Sequence, residues 1–139
     1  MKYFFILLSL FPFITRAADV HVDITGVKSE VGQVVVSVWD SEESYLSMPF
    51  TKKTVLITEL KDGKFRVTFS EPLPSECAIN VYYDKNTNAE LDTNWLGIPD
   101  EPVGITNNVK GSFGPPKYED GKVKITGKEQ VFVIHVEDI

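Results

Sequence analysis

The sequence has little cysteine, little histidine and few basic side chains. Its 139 residues include one Cys and two His, which excludes an internal disulfide framework and any Cys-based zinc cluster. Lys and Arg number 14 against 20 Asp and Glu, and nucleic-acid binding depends on basic groups that neutralise phosphates. The balance argues against a nucleic-acid partner. The sequence also lacks an obvious nucleophile–base pair, so it predicts no catalytic residue.

The N-terminal segment 1–17 has the order of a secretory signal peptide. Lys2 precedes an apolar run of about a dozen residues, and Thr15 and Ala17 hold the small-residue positions before the cut. A membrane-spanning helix needs roughly 20 apolar residues. We therefore expect cleavage after Ala17, or one residue later, rather than an uncleaved anchor. The prediction is an exported protein, periplasmic or secreted, with no stable membrane insertion once residues 18–139 are released.

Short runs of Val, Ile, Phe and Tyr with a period of two dominate the remaining chain. Such alternation is typical of strands that bury one face. Gly and Pro separate the runs and no long helical period occurs, so the sequence predicts one all-β domain over 18–139. The expected fold is a seven-stranded antiparallel β-sandwich. Its strands centre on 20–24, 34–39, 55–60, 65–69, 78–83, 122–126 and 131–136.

One long loop, residues 84–120, breaks this pattern and is where we look for function. Compact domains rarely hold about 37 residues without a sustained period unless the loop is functional or separately ordered. Trp95, Phe113 and Tyr118 in this loop could line a pocket for a sugar or a peptide. They could instead close one end of the sandwich as a small satellite core, which is favoured because large aromatic side chains usually gain by burial.

Oxygen-bearing residues recur at alternate positions at the start of this loop. Positions one, three, five, seven and nine are Asp84, Asn86, Asn88, Glu90 and Asp92. Calcium takes six to eight oxygen ligands, with a backbone carbonyl at position seven and water or a more distant acid completing the shell. Zinc is disfavoured because no His or Cys is nearby. The spacing predicts a calcium site.

Position six of the same loop counts against tight calcium binding. It is Ala89, where the sharp turn of such loops normally has Gly, and a non-Gly residue at positive φ costs on the order of 1 kcal/mol. The alternative to a calcium site is an Asn-rich turn closed by hydrogen bonds from side chain to backbone. In the same way, Asn107 and Asn108 could either orient a ligand or cap the loop backbone.

Several linked motifs make the chain similar to a known family. In order they are the loop from Asp84 to Asp92, Leu96-Gly97-Ile98-Pro99, Glu101, Gly104, Thr106-Asn107-Asn108 and Phe113-Gly114-Pro115-Pro116. This series resembles the signature of a family of small exported bacterial proteins catalogued only as a domain of unknown function. The resemblance covers essentially the whole mature chain. It implies a transthyretin-like or immunoglobulin-like sandwich and no particular activity.

Two function classes stay open. The first is a noncatalytic binding or structural module whose long loop recognises an unknown protein or glycan of the cell envelope. The second is a hydrolase-like enzyme with a site at the same loop end, where Asp92, Glu101, Asp120 or a His would share one cleft with a shifted pKa.

The remaining chemistry-bearing residues are interpreted as structural. His21 and His135 lie on the outward phase of the first and last strands, and two ligands are too few for a closed metal site. Arg66 alternates with apolar neighbours and is expected to face solvent. Cys77 is expected in the core, with no redox role.

Overall fold

A computed structural model describes residues 17–139, so all of the predicted signal peptide except Ala17 lies outside the described residues. Within this range no helix has the length and apolarity to cross a membrane. The elements are β1 (Val20–Thr25), β2 (Gln33–Trp39), β3 (Thr51–Leu56), β4 (Lys64–Phe69), β5 (Glu76–Asp84), β6 (Val103–Ile105), a 3-10 turn (Thr106–Asn108), α1 (Tyr118–Gly121), β7 (Lys122–Lys124) and β8 (Gln130–His135).

The strands form two sheets, which confirms the predicted all-β sandwich. One sheet has the order β4-β1-β8, and the other has β3-β2-β5 with β6 and β7 both paired to the outer edge of β5. Two details differ from the prediction. There are eight strands in 17–139 rather than seven, because β6 forms inside the long loop. The β1–β8 pair is parallel, whereas the other strand pairs are antiparallel.

The alternating apolar side chains fill the space between the sheets. Ile24, Val36, Phe69 and Ile134 are among the fully buried ones, as the period-two pattern requires. Cys77 is in the same core, and burial raises the pKa of its thiol to about 12. This confirms the prediction that the cysteine is a core residue.

A second, smaller core covers the opposite face of the five-stranded sheet. It contains Trp39, Ala78, Ile105 and Tyr118. β2 is therefore buried on both faces, and the long loop contributes two of the four buried residues of this core.

The strand β6 fastens the long loop to both sheets. Val103 pairs with Tyr82 of β5 on one side and exchanges two backbone hydrogen bonds with Glu137, at 3.0 and 3.1 Å, on the other. Gly104 allows this approach, because a Cβ there would collide with the carbonyl group of His135. The loop is thus held at its middle by backbone pairing.

Candidate acidic metal site

The loop after β5 is folded around the side chain of Asp84. This carboxylate is fully buried and accepts hydrogen bonds from the backbone N of Asn88 (3.3 Å) and of Ala89 (2.7 Å). It also accepts one from Nε2 of Gln33 at 2.6 Å. A buried carboxylate with three donors fixes the start of the loop to strand β2.

Three of the predicted ligands meet a short distance away. Nδ2 of Asn86 and Nδ2 of Asn88 donate to the two carboxylate oxygens of Asp92, at 2.6 and 2.8 Å. The amide oxygens accept hydrogen bonds from backbone N–H groups. Oδ1 of Asn86 accepts from the N–H of Asn88 at 3.2 Å, and Oδ1 of Asn88 accepts from the N–H of Glu90 at 3.0 Å. The hydrogen bonds of the alternative Asn-rich turn are therefore present: the amide nitrogens face Asp92 and the amide oxygens face the backbone, so both amides would have to turn over to offer oxygen to an ion.

Glu101 joins this cluster from beyond the next turn of the chain. Its Oε2 accepts a hydrogen bond from the backbone N of Asp92 at 3.1 Å, and the residue is only 6% exposed. Burial raises the pKa of the Glu101 carboxyl above its usual value, and the negative charges of Asp84 and Asp92 raise it further. The fold thus brings one more distant acid, Glu101, beside the predicted loop.

The cluster carries negative charge, and the nearest basic side chain, that of Lys85, lines the same recess as Asp92 and Glu101. Among the ion pairs within residues 17–139, none involves Asp84, Asp92 or Glu101. Tyr82 lies beside them: burial raises the pKa of its hydroxyl to about 12, and the neighbouring carboxylates contribute to the rise. Removing carboxylates from water without a paired cation costs free energy, so a bound cation would stabilise this arrangement.

The donor types here fit a hard divalent cation. Carboxylate, amide and carbonyl oxygens are the ligands that calcium prefers. Within 17–139 no group of three or more His, Cys, Asp or Glu side chains is arranged as a metal site. The amide oxygens of Asn86 and Asn88 and the carbonyl of Glu90 would therefore have to complete a shell begun by the carboxylates.

Two residues of this loop have a left-handed backbone. Ala89 has φ 63° and Thr87 has φ 60°, a region that side chains with a Cβ disfavour and β-branched ones strongly avoid. The expectation that position six needs positive φ is confirmed. Strained backbone conformations of this kind persist where the surrounding contacts impose them. Here Asp84 holds Ala89 in its left-handed conformation by accepting a hydrogen bond from the Ala89 N–H.

The predicted aromatic surface divides into one buried and two exposed residues. Tyr118 is 5% exposed and its ring centroid lies 6.0 Å from that of Tyr45. The satellite-core interpretation is right for Tyr118, which is thereby removed from the ligand surface. For Trp95 and Phe113 that interpretation is wrong, because these residues are 91% and fully exposed. Trp95 stands in a turn and Phe113 in a bend of the long loop.

The two asparagines of the 3-10 turn cap backbone groups, as one of the two interpretations predicts. Nδ2 of Asn107 donates to the carbonyl of Asp120 at 3.0 Å. Asn108 donates to the carbonyl of Val133 (3.1 Å) and accepts from the N–H of His135 (2.9 Å). The Asn108 amide thus takes the place of a neighbouring strand at the edge of β8.

The two histidines named for the hydrolase alternative lie apart from each other. His21 bonds to Thr68 and Glu129, and the parallel register places His135 four residues farther along. At a rise of about 3.3 Å per residue this separates the two histidines by roughly 13 Å. Arg66 faces outward as predicted, paired with Asp23. Of the groups named for that alternative, the structure brings Asp92 and Glu101 together.

Fold and site together define a class: a two-sheet β-sandwich in which a long loop carries a buried acidic cluster. The chain belongs to the family described as uncharacterised protein conserved in bacteria (DUF2141), whose model matches residues 22–132. The matched range runs from β1 into β8 and includes the whole long loop. No curated protein and no solved structure matches the chain.

Proposed function

We propose that this protein is an exported, noncatalytic binding or structural module whose 84–120 loop is stabilised by one calcium ion. The observation that carries the proposal is the closeness of Asp84, Asp92 and Glu101, whose negative charges interact. Within 17–139 these carboxylates are not arranged as a finished metal site, so the loop would have to close around the ion. Two of these carboxylates are buried, and no described ion pair balances any of them. Burial first, and the charges of Asp84 and Asp92 second, raise the pKa of Glu101, and a cation at this point would offset both effects.

Each proposed ligand has a distinct part in the site. Asp84, Asp92 and Glu101 supply the negative charge, and Asn86 and Asn88 supply neutral oxygens that add no repulsion. The carbonyl of Glu90 is the remaining ligand from the chain. When bound, the calcium supplies positive charge that holds these oxygens at one point.

The position of the cluster explains what such an ion would do. Asp84 ends strand β5, whereas Glu101 stands two residues before β6. An ion shared by Asp84, Asp92 and Glu101 would therefore join both ends of the segment between these strands. The recognition surface of the module is this ordered segment, and its partner is a protein or glycan of the cell envelope.

Thermal unfolding of the mature chain with chelator and with millimolar calcium tests the ion. Binding to the folded state alone stabilises it by roughly 0.4–1.4 kcal/mol at about 1 mM calcium, for a dissociation constant of about 10⁻³ to 10⁻⁴ M, so the midpoint should rise with calcium. Asp84→Asn should remove most of that rise. Because Asp84 also holds Gln33 and Ala89, the calcium-induced change is the quantity compared. The control variant Glu43→Gln alters an exposed acid outside the cluster. It should show the same calcium-induced rise in midpoint as the wild type.

A wild-type midpoint that does not move with calcium would overturn the calcium part of the proposal.

Export has its own test, which is the mass of the protein recovered from the cell envelope or the medium. Loss of 17 or 18 N-terminal residues is expected. A full-length chain in the membrane fraction would contradict it.

Hydrolysis at the same loop end is the second candidate. It is favoured by Glu101, whose pKa is raised by burial and by the charges of Asp84 and Asp92, since a raised pKa suits a carboxyl group to donating a proton. A panel of chromogenic ester and glycoside substrates tests it. Turnover by the wild type that Glu101→Gln abolishes would establish this candidate, and turnover that survives the substitution would exclude Glu101 as its acid.

A further inference from the structure

Residues 92–100 form a tight hairpin, here named the Trp95 hairpin, which rises from the acidic cluster. The N–H of Asp100 donates to the carbonyl of Asp92 at 2.9 Å, and Thr93 pairs with Pro99 as an antiparallel bridge. The base of the hairpin is therefore closed by backbone pairing, beside the Asp92 amide that Glu101 holds.

The tip of the hairpin is fixed by the side chain of Asn94. Its Oδ1 accepts from the N–H groups of Leu96 (2.9 Å) and Ile98 (3.1 Å). Its backbone closes the turn, because Asn94 donates to the carbonyl of Ile98 and accepts from the N–H of Gly97, both at 2.9 Å. Gly97 has φ 77°, which suits glycine. A tip held in this way loses little conformational entropy when it binds.

This fixed tip presents large apolar side chains to solvent. Trp95 is 91% exposed, Leu96 61% and Ile98 39%. Three adjoining exposed side chains of this size are typical of interaction surfaces, and Trp is enriched among the residues that dominate binding energy. Because Trp95 and Leu96 stand at the end of a narrow projection, they suit insertion into a recess of another molecule.

The charge around the hairpin indicates the kind of partner surface that could receive it. Its exposed flanks carry Glu90 and Asp100, with Asp92 partly exposed at the base, and Lys85 is the basic residue nearest in sequence. Anionic lipid surfaces repel such a flank, and two side chains alone give only weak membrane attachment. A protein surface with Lys or Arg around an apolar pocket is complementary to both features.

We propose that the Trp95 hairpin is a docking element, which inserts Trp95 and Leu96 into an apolar pocket bordered by basic side chains on a partner protein. The inference rests on the proposed binding function and names its recognition element and partner chemistry. The acidic flank steers the encounter and Trp95 supplies most of the binding energy.

Binding of the full mature chain to a labelled amphipathic peptide of Leu and Lys tests this, because that probe offers an apolar stripe bordered by positive charge. We expect saturable binding that weakens at least tenfold in Trp95→Ala. Phe113→Ala is the matched control: Phe113 is equally exposed in the same loop but outside the hairpin, so affinity should not change. Asp100→Asn should weaken binding several-fold and reduce its salt dependence.

Several outcomes would overturn the docking proposal. They are no binding of the peptide, equal affinity of wild type and Trp95→Ala, or equal losses in Trp95→Ala and Phe113→Ala. Binding to phosphatidylcholine vesicles in place of the peptide would assign the tip to a membrane, and Trp95-dependent self-association in sedimentation would assign it to a second copy. A calcium-dependent unfolding midpoint without peptide binding would overturn the docking element and leave the calcium module standing.

Discussion

Glu101 holds the backbone N–H of Asp92 with its Oε2 at 3.1 Å. This bond joins the two ends of the Trp95 hairpin and holds the buried Glu101 carboxylate near those of Asp84 and Asp92, whose charges add to the effect of burial in raising its pKa. The same contact therefore shapes the projecting hairpin and concentrates negative charge at its base. The calcium proposal and the docking proposal both depend on it.

Replacing Glu101 by Gln should stabilise the calcium-free protein near neutral pH and reduce the calcium-induced rise in midpoint. The folded-state pKa of Glu101 is raised, first by burial. The folded state therefore binds this proton more tightly than the unfolded state does. The stability that the protonated group contributes is fully present below the unfolded pKa and is lost as the pH rises through the folded pKa. Denaturant unfolding of both proteins across mildly acidic to neutral pH measures it.

The two proteins should converge as the pH is lowered below the ordinary pKa of a glutamic acid, because Glu101 is then protonated in both states. A variant that is less stable than the wild type at neutral pH without calcium would show that the charge of Glu101 is balanced in the protein. That result would remove the main support for a cation.

Replacing Ala89 by Gly should stabilise the protein by about 1 kcal/mol, because Ala89 has φ 63° and Gly adopts this conformation without a Cβ penalty. For a domain of this size the midpoint should rise by about 4 °C. Calcium affinity should increase as well, since the loop is held with less strain. Differential scanning calorimetry gives the first quantity and calcium titration the second.

The matched control for Ala89→Gly is Ser112→Gly, at an exposed position of the same long loop that is not among the positive-φ residues. Gly there only adds freedom to the unfolded chain, so a small loss of stability is expected. Equal changes in the two variants would refute the strain explanation.

Replacing Asp23 by Asn should lower the unfolding midpoint near neutral pH. Asp23 is mostly buried and its carboxylate receives Nε and Nη2 of Arg66 at 2.6 and 2.9 Å; this hydrogen bonding lowers the pKa of Asp23. Its stabilisation is present above the unfolded pKa and is lost as pH falls through the folded pKa. Thermal melts measure this. The midpoints of the wild type and Asp23→Asn should differ at neutral pH and agree at strongly acidic pH.

The exposed pair of Lys28 and Asp138 provides the comparison for this prediction. Both side chains of that pair are largely solvated, and such pairs contribute little to stability. Lys28→Gln should therefore leave the midpoint unchanged at every pH. A loss equal to that of Asp23→Asn would mean that burial and bidentate geometry are not what makes the Asp23 pair effective.

Replacing Asn108 by Ala should cost about 1–3 kcal/mol, because it removes two hydrogen bonds at the edge of β8 and places Ala at φ 50°. Amide hydrogen exchange should accelerate at His135, whose N–H loses its acceptor. Asn108→Gly separates the two causes, since it relieves the backbone strain but not the lost bonds. Unchanged exchange at His135 in both variants would contradict the capping role.

The alternating strands could be predicted from the sequence because each buries its own apolar face. β1 is an example, with Val20, Val22 and Ile24 inward. β6 could not be predicted in this way: it has three residues with Gly104 at its centre, which leaves no period to detect. The parallel pairing of β1 and β8 also depends on the packing of the whole chain, which alternation does not encode.

The candidate site could be predicted only as far as local spacing reaches. The ligands from Asp84 to Asp92 are close in sequence, and their convergence through the Asn side chains follows from a turn. Glu101 is nine residues from Asp92, and its contact requires the hairpin to fold back. The exposure of Trp95 depends on the hydrogen bonds of Asn94, which fix the hairpin tip. The prediction that Trp95 is buried was wrong because it used only the size and apolarity of the side chain.

Isothermal titration of calcium into the mature, chelator-treated protein tests the central claim most directly. The claim predicts saturable binding of one ion per chain, with a dissociation constant of about 10⁻⁴ to 10⁻³ M as in extracellular calcium modules. Asp84→Asn should abolish the binding while the far-ultraviolet circular dichroism of the sandwich is retained. Absence of saturable heat in the wild type at millimolar calcium, or an undiminished signal in folded Asp84→Asn, would contradict it.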